Sequence, residues 1–344
     1  MRVYAFLAYV LLSVSSYAAL PGLAERLTEI IGNNDVGVAV LTSDGDALSF
    51  SGDTYYDMCS VVKFHQAAAM ARVMDFDSIM NTTVLVDSAD MHADTWSPMR
   101  ASLHSLPYEA SVVELLDYSL NVSDNNAADV LFSRFVSPER VERILRDAGL
   151  ASDISVRSTE AQMHADNNRV PNLTTPNDAA RCIYRFFTAD TTASATLVKA
   201  IMARESPFGK ERIPAGVAQG ETKVFHKTGT GFEGANGTPR AINDLAFISY
   251  KRPGGYSCYA LAVFVRDFAG SKQDGETLIA DISSAVWSAV VVNESLAMNA
   301  GARVRASKIE KAPETKEEKF SWVGALFDAA GEIIFDAIDR KLSE

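Results

Sequence analysis

The chain of 344 residues carries 32 Lys and Arg against 44 Asp and Glu, which gives a formal net charge of −12. Apolar residues make up 47% of it, a share typical of globular proteins with a buried core. At roughly 100–200 residues per domain, the length allows two domains or one large unit with two lobes. The acidic balance argues against nucleic acid as a main partner, because phosphate binding needs clustered cations and the sequence has no basic stripe.

The first 18 residues are typical of a signal peptide. Arg2 supplies the positive charge, residues 3–12 are apolar, and small residues around Ala18 form a cleavage site. The apolar run is too short to anchor the chain in a bilayer. We therefore expect a periplasmic or secreted protein.

The cysteines and histidines indicate no cofactor. The sequence has three cysteines, Cys59, Cys182 and Cys258, and no C-x-x-C pair. This pattern predicts neither a disulfide framework nor a zinc site, although a single disulfide between two of the three stays an open alternative. No His or acidic pair has ligand spacing in a suitable context. We expect no metal.

Strand patterns stand at both ends of the chain. Residues 36–40 and 47–50 flank an Asp-Gly turn, which predicts a hairpin. Apolar runs at 243–250 and 257–265 flank a Pro-Gly-Gly turn, which predicts a second hairpin. Apolar residues at helical spacing predict helices over 23–31 and 276–298 that can cover a sheet face.

The middle of the chain is predicted to be mostly helical, with helix starts at Ser137 and Thr175, each followed by Pro. The predicted fold class is α/β, of the α+β kind in which helices and an antiparallel sheet form two lobes. Residues 19–53 and 211–298 form an antiparallel sheet flanked by terminal helices, and residues 54–210 form an inserted all-helical lobe. A cleft between such lobes is a common place for an active site.

Ser60 and Lys63 open an Ala-rich apolar stretch that predicts a buried helix. Residues three apart share a helix face, so the Lys63 ammonium can reach the Ser60 hydroxyl. Burial lowers the pKa of a lysine toward the range in which it accepts a proton, and free N–H groups at a helix start can stabilise an oxyanion. The pair suits a serine nucleophile with its base, although a capping Ser followed by a Lys that extends to solvent has the same spacing.

Two further motifs follow in order. S-D-N begins at Ser123, after a predicted helix, and K-T-G begins at Lys227, in an apparent strand. Either motif alone fits a turn or an edge strand. The ordered set S-x-x-K, S-D-N and K-T-G is the signature of class A β-lactamases and penicillin-binding proteins.

On these motifs the chain resembles class A serine β-lactamases over about residues 22–298. Glu160, in T-E-A-Q-M-H-A-D, stands where that family's Ω loop carries the deacylating carboxylate. Trp96, in T-W-S-P, matches an aromatic residue at the mouth of the family's cleft. The E-A-x-M-H pattern resembles the corresponding sequence in the branch of the family that contains several cephalosporin-hydrolysing, extended-spectrum enzymes. The resemblance implies a β-lactamase/transpeptidase-like fold.

The resemblance also implies acyl transfer in two halves. Ser60 attacks the lactam carbonyl, and water then removes the acyl group. Lys63 or Glu160 is implied as the base for acylation, and Glu160 as the base for deacylation. Ser123, helped by Lys227, is implied to relay a proton to the lactam nitrogen.

Substrate binding is implied for Trp96, Asn125, His164, Thr228, Gly229 and Thr230. The backbone N–H groups of Ser60 and Thr230 match the oxyanion hole. His164 replaces the Asn found in most of the class, and a structural role and a role near the hydrolytic water both stay open. Arg240 lies near the position of a carboxylate-binding Arg but one residue off, which turns a strand side chain to the other face.

The tail has no counterpart in the family. Residues 299–319 are predicted to be a charged linker, and residues 320–344 repeat apolar residues at helical spacing. The polar face of this amphipathic helix is acidic, so its attraction to anionic lipid is weak. Docking on its own enzyme domain or on a twin is favoured, with a membrane surface or another partner as the alternative.

The predicted function is hydrolysis of a small-molecule β-lactam, of the cephalosporin and penicillin classes, which gives antibiotic resistance. One alternative is a penicillin-binding D,D-peptidase. Another is a β-lactam sensor that stays acylated. Glu160 in its Ω-loop context argues against both.

Overall fold

The structure is a computed structural model. It describes residues 14–17, 20, 22–165, 171–218, 220, 222–231, 239–252, 255–292 and 337–342. Residues 14–17 of the predicted signal peptide form an edge strand, and its other residues lie outside the described ranges. The predicted linker, residues 299–319, and most of the predicted tail helix also lie outside them.

The strands in chain order are β1 (Val14–Tyr17), β2 (Asp35–Thr42), β3 (Ala47–Phe50), β4 (Tyr56–Asp57), β5 (Thr83–Val86), β6 (Tyr108–Ser111), β7 (Ile154–Ser155), β8 (Leu173–Thr174), β9 (Thr222–Thr230), β10 (Ala241–Arg252) and β11 (Gly255–Arg266). Six of them form an antiparallel sheet in the order β1-β3-β2-β11-β10-β9. Both predicted hairpins are confirmed, with Val38 opposite Phe50 in the first and Asn243 opposite Phe264 in the second.

The helices in chain order are α1 (Leu23–Ile31), α2 (Val62–Val73), α3 (Phe76–Asn81), α4 (Pro98–Ser102), α5 (Val112–Asn121), α6 (Asn125–Arg134), α7 (Pro138–Asp147), α8 (Glu160–Ala165), α9 (Pro176–Ala189), α10 (Ala193–Ala203) and α11 (Lys272–Trp287). Short 3₁₀ helices span Cys59–Val61 and Ile213–Gly216, and a π-helical turn, Ser288–Val292, follows α11. Both predicted helix starts are confirmed, and the Thr175 hydroxyl caps α9 by accepting from the Asp178 N–H.

The central sheet is covered on both faces because its long strands are buried along nearly their whole length. Alternate strand residues face opposite layers. On one face, strand residues such as Val263 share a hydrophobic core with α1 and α11. On the other face, Phe247 stacks on Phe187 of α9 at a ring-centroid distance of 4.6 Å. Helix α9 therefore packs on the central sheet, although its residues fall within the segment predicted as the inserted lobe.

The inserted lobe is mainly helical and also holds short strands. The strand pair β5-β6 and the small sheet β4-β8-β7 lie in it. These strands have only two to four residues and, unlike β3, no turn signal that marks them as part of a hairpin, so the sequence does not predict them. The predicted helix over 276–298 begins earlier, at Lys272, where Ser271 and Asp274 form a capping box, and residues 293–298 lie outside the described ranges.

All three cysteines are buried in the described part of the chain, and no disulfide joins them there.

Among the described helices, none combines the length and the apolar character needed to cross a bilayer.

Candidate active site

A cleft of about 780 Å³ lies where the central sheet meets the helical lobe. Its lining includes most of the residues predicted from the motifs: Ser60, Trp96, Ser123, Asn125, Glu160, Thr228 and Thr230. Lys63 and Lys227 are buried and contact these residues from the interior. The structure therefore brings the three sequence motifs and Glu160 to one place.

Ser60 lies in the 3₁₀ turn that precedes α2. Cys59, just before it, has a φ of 46°, and its N–H donates to the Asp57 carboxylate at 3.0 Å. The amide of Asn243 on β10 donates to the Asp57 carbonyl at 2.8 Å, which ties this loop to the sheet. At Gly229 on β9, an added Cβ would lie 2.5 Å from the Met58 carbonyl oxygen. The K-T-G strand can therefore lie against the Ser60 loop only because residue 229 lacks a side chain.

The Lys63 ammonium is the centre of the cluster. It donates to Ser60 Oγ at 2.9 Å and to Asn125 Oδ1 at 2.5 Å. It lies 3.4 Å from Ser123 Oγ and 3.2 Å from Glu160 Oε1. The Lys63 side chain is fully buried, so solvent screens these interactions little. One ammonium thus touches the hydroxyl of S-x-x-K, the hydroxyl of S-D-N and the Ω-loop carboxylate.

Lys227 approaches the same Ser123 hydroxyl from the sheet. Its ammonium donates to Ser123 Oγ at 3.0 Å and to the Thr228 carbonyl at 3.0 Å. Burial, and secondarily the charge of Lys63, holds the pKa of Lys227 well below its usual range. Ser123 itself has a φ of 57°, in the left-handed region. Its hydroxyl therefore stands between two lysines, an arrangement suited to passing a proton.

Glu160 begins α8 and is 5% exposed. Its backbone N–H and that of Ala161 each donate to one Asp129 carboxylate oxygen at 2.7 Å. A carboxylate at a helix N-terminus is favoured by the free N–H groups there. Burial and the charge of Glu160 raise the pKa of Asp129 to about 7, against the effect of those two hydrogen bonds. The motifs do not single out Asp129, which fixes Glu160 to α6.

The mouth of the cleft is aromatic. Trp96 is 54% exposed, and its indole N–H donates to the Val122 carbonyl at 2.9 Å. Phe208 meets it edge to face at a centroid distance of 5.5 Å. Trp96 follows Thr95, whose hydroxyl accepts from the Asn125 amide at 2.7 Å. Hydrogen bonds therefore connect Trp96 to the residue before the S-D-N motif and its neighbour Thr95 to the last residue of that motif.

Arg212 is a buried cation that the sequence motifs do not indicate. It is 3% exposed and lines the cleft. Its guanidinium donates to Thr230 Oγ1 at 2.8 Å and to the Gly229 carbonyl at 3.0 Å. Glu276 of α11 pairs with it at 3.2 Å. Together with Lys227 it makes the K-T-G side of the cleft suited to a carboxylate ligand.

Two predicted residues lie apart from this cluster or outside the description. Arg240 is exposed and lines a separate small cleft with Tyr56 and Asp267. A buried guanidinium from a different element, that of Arg212, stands beside Thr230 instead. His164 belongs to α8, but its side chain lies outside the described part of the structure.

The described ranges contain no group of three or more His, Cys, Asp or Glu side chains that could hold a metal ion. The chemistry available from the described residues consists of hydroxyls, two buried lysines, carboxylates and backbone N–H groups. Such a set can form a serine ester and hydrolyse it.

Sequence comparison relates the chain to enzymes of one kind. A family profile described as the β-lactamase enzyme family matches residues 22–290. A β-lactamase of Phocaeicola vulgatus is 33% identical, over 80% of this chain and 88% of that protein. The extended-spectrum β-lactamase PER-1 of Pseudomonas aeruginosa is 32% identical, over 80% of this chain and 89% of that protein.

Solved structures give the same relationship. The TLA-1 extended-spectrum β-lactamase superposes with a TM-score of 0.73 at 29% identity, over 80% of this chain and 100% of that chain. A class A β-lactamase from Bacteroides cellulosilyticus superposes with a TM-score of 0.71 at 26% identity, over 80% of this chain and 99% of that chain.

Proposed function

The chain belongs to the β-lactamase enzyme family, as a class A serine enzyme that hydrolyses β-lactams, and we propose that Glu160 activates the water that deacylates Ser60. The observation that carries the proposal is the position of Lys63, whose ammonium is 2.9 Å from Ser60 Oγ and 3.2 Å from Glu160 Oε1. The carboxylate is therefore close enough to act on the ester that forms at Ser60.

In the acylation half, Ser60 Oγ attacks the lactam carbonyl and the lactam C–N bond breaks. The serine proton leaves to Lys63 in its neutral amine form, whose Nζ lies 2.9 Å from Ser60 Oγ, or to Glu160 through a water. The departing nitrogen takes a proton from the Ser123 hydroxyl, and Lys63 or Lys227 resupplies it. The backbone N–H groups of Ser60 and Thr230, two residues that line the cleft, suit the oxyanion.

In the deacylation half, water attacks the ester carbonyl as Glu160 takes its proton. The bond between the carbonyl carbon and Ser60 Oγ then breaks, and the proton passes from Glu160 to Oγ, which restores the serine hydroxyl. Apart from the contact with Lys63, Oε1 of Glu160 accepts no hydrogen bond from the described residues. That oxygen retains the capacity to accept from a water. The anchor at Asp129 keeps the carboxylate on the cleft side of α8.

The substrate carboxylate binds beside Thr230 in this proposal, near Lys227 and Arg212. Its negative charge acts to raise the pKa of Lys227 and therefore favours the ammonium form of this lysine when substrate is present. Trp96 and Asn125 line the part of the cleft assigned to the acyl side chain. We assign cephalosporins and penicillins as substrates, because relatives of this chain carry the name extended-spectrum β-lactamase.

Export to the periplasm or the medium is part of the proposal and rests on residues 1–18. Cleavage after residue 18 would remove β1 and leave β3 at the edge of the sheet. The mass of the enzyme recovered from a periplasmic extract tests this. A mass that includes residues 1–18 would contradict it.

The mechanism is tested with purified protein and excess chromogenic cephalosporin, followed by absorbance and by protein mass. We expect sustained turnover by the wild type and a trapped adduct on Ser60 in Glu160→Ala. Glu211→Ala is the matched control, because Glu211 is an exposed carboxylate that lines the same cleft. A stable adduct on the wild type after one burst would favour the sensor or peptidase alternative, and rapid turnover by Glu160→Ala would overturn the role of Glu160.

A further inference from the structure

The last described turn of the chain, residues 337–342, lies against the helical lobe. Ile338 is fully buried in the lobe's hydrophobic core, and Leu342 packs on the same core. Asp339 forms an ion pair with Arg204, the residue that follows α10 as its C-cap. We propose that this turn is a latch through which the protein's own tail docks on its helical lobe and steadies one wall of the active-site cleft.

The tail can reach this position within one molecule. Residues 293–336, which number 44, connect the end of the matched enzyme region to the latch. Fully extended, a segment of that length spans about 150 Å. A domain of this size is only roughly 50 Å across. The occupant of the surface is therefore the tail of the same chain.

The contact combines apolar burial with a specific charge arrangement. Arg204 Nε also pairs with Asp117 of α5 at 3.1 Å, so its guanidinium stands between a carboxylate of the lobe and one of the tail. Burial of the Ile338 side chain removes its apolar surface from water, and the tether keeps the turn at a high local concentration near its docking surface, so both effects favour the docked turn. The docking surface is the end of α10 together with the facing side of α5.

Arg204 stands directly before the wall of the cleft, which we define as residues 205–209. The Ser206 hydroxyl of this wall donates to the Asn121 carbonyl at 2.7 Å, at the end of α5. Phe208 of the wall lines the cleft and meets Trp96 edge to face. Arg204 is thus only four residues before Phe208, so a displacement of Arg204 can reach the aromatic pair through the wall. The latch holds the start of the wall through Arg204.

Docking is tested in the full-length protein by tryptic cleavage after Arg340 and Lys341, which lie on the turn itself. We expect Ile338→Asp and Asp339→Asn each to speed this cleavage by at least about tenfold, because the undocked turn is open to the protease. Leu85→Asp and Asp281→Asn are the matched controls. Leu85 is 62% exposed, and Asp281 is exposed with no charged partner among the described residues. Equal cleavage rates in latch and control variants would overturn the proposal.

A double-mutant cycle tests the ion pair. Arg204→Gln and Asp339→Asn each remove one charge, and we expect the double variant to be cleaved no faster than the faster single variant. Cleavage rates that multiply would mean that the two residues do not interact. The cycle keeps side-chain size nearly constant, and a thermal unfolding curve verifies that each variant is folded.

The effect on the wall is measured on β-lactam hydrolysis, an activity that can be followed whichever residue is the base for deacylation. We expect Ile338→Asp to raise KM for a cephalosporin with a bulky aromatic side chain by about threefold and to leave kcat unchanged, since only wall contacts weaken. An unchanged KM would overturn the connection to the wall. Protection from trypsin that grows with protein concentration, with dimers in light scattering, would assign the docked turn to a second copy and overturn docking within one molecule.

Discussion

The Arg212 guanidinium donates to the Thr230 hydroxyl at 2.8 Å. The two residues come from different elements, since Arg212 precedes a 3₁₀ helix and Thr230 ends β9. Arg212 is also held by the Asn243 carbonyl at 2.7 Å and by Glu276. The cation is therefore fixed in place before any substrate arrives, and its position requires no rearrangement of the sheet.

Replacing Arg212 with Gln tests its role in binding the substrate carboxylate. We expect KM for a penicillin to rise about tenfold, which corresponds to about 1.4 kcal/mol, because the Thr230 hydroxyl loses the guanidinium that orients it and the cleft loses a nearby positive charge, in both ground and transition states. Glu276 keeps Lys272 as a partner at 2.6 Å, so the variant does not leave that carboxylate unpaired. Steady-state kinetics gives KM and kcat separately.

Arg240→Gln is the matched control for this change. Arg240 is exposed and lines a different cleft, so we expect its KM to equal that of the wild type. A rise in KM for Arg240→Gln that matches the rise for Arg212→Gln would show that the cation acts through general charge and not through its position.

Gly229→Ala tests the close approach of the K-T-G strand to the nucleophile loop. The added methyl would lie 2.5 Å from the Met58 carbonyl, a backbone atom that cannot turn away. We expect kcat/KM to fall about 100-fold, because a displacement of about 1 Å at a reacting group has an effect of this size. The loss should appear in the acylation rate measured by stopped flow.

Gly45→Ala separates backbone strain from this steric effect. Gly45 has a φ of 88°, and no atom lies within 4 Å of an added Cβ. We expect this variant to lose about 1–2 kcal/mol of stability while keeping the wild-type kcat/KM. Gly229→Ala with wild-type acylation would contradict the steric argument.

The sequence predicted the residues that local periodicity brings together. Lys63 stands one helical turn after Ser60, so helix geometry alone predicts their contact. Asp129 could also have been found, since it lies four residues after Asn125 and a helix places both on one side. The hydrogen bonds from the first N–H groups of α8 to Asp129 depend on the path of the loop that leads into α8, which no local sequence pattern encodes.

Arg212 could not have been predicted in the same way. Its hydrogen-bond acceptors, Gly229 and Asn243, are 17 and 31 residues away in sequence. They meet it only because β9 pairs with β10 in one register, with Gly229 opposite Asn243. Arg240 is near the expected position in sequence, yet it lies just before β10, and its side chain is exposed outside the active-site cleft.

Asp129→Asn tests a titration near neutral pH. The ordinary pKa of 3.8 is raised to about 7 in the fold. Between these values the folded protein holds a proton that the unfolded chain has lost. This contribution to stability is therefore complete below pH 3.8 and is lost as the pH rises to about 7. Asn does not titrate. We expect the variant to gain at least about 1 kcal/mol relative to wild type between about pH 4 and about pH 8.

Urea unfolding at the two pH values measures this gain. Asp281→Asn serves as the control, because Asp281 is exposed on α11 and its replacement should change stability equally at both. A difference between Asp129→Asn and wild type that is independent of pH would mean that the Asp129 carboxyl does not titrate in this range.

Phe208→Ala tests whether the aromatic mouth recognises the acyl side chain. The ring of Phe208 is 39% exposed and its edge-to-face partner, Trp96, is 54% exposed, so both present area to a bound ligand. An aromatic contact is worth about 0.5–1.5 kcal/mol, which predicts a rise in KM of about 2-fold to 13-fold for a substrate with an aryl side chain. A substrate without an aryl group lacks this contact, so its KM should stay unchanged. Equal rises for both substrates would mean that Phe208 supports the wall and does not contact the side chain.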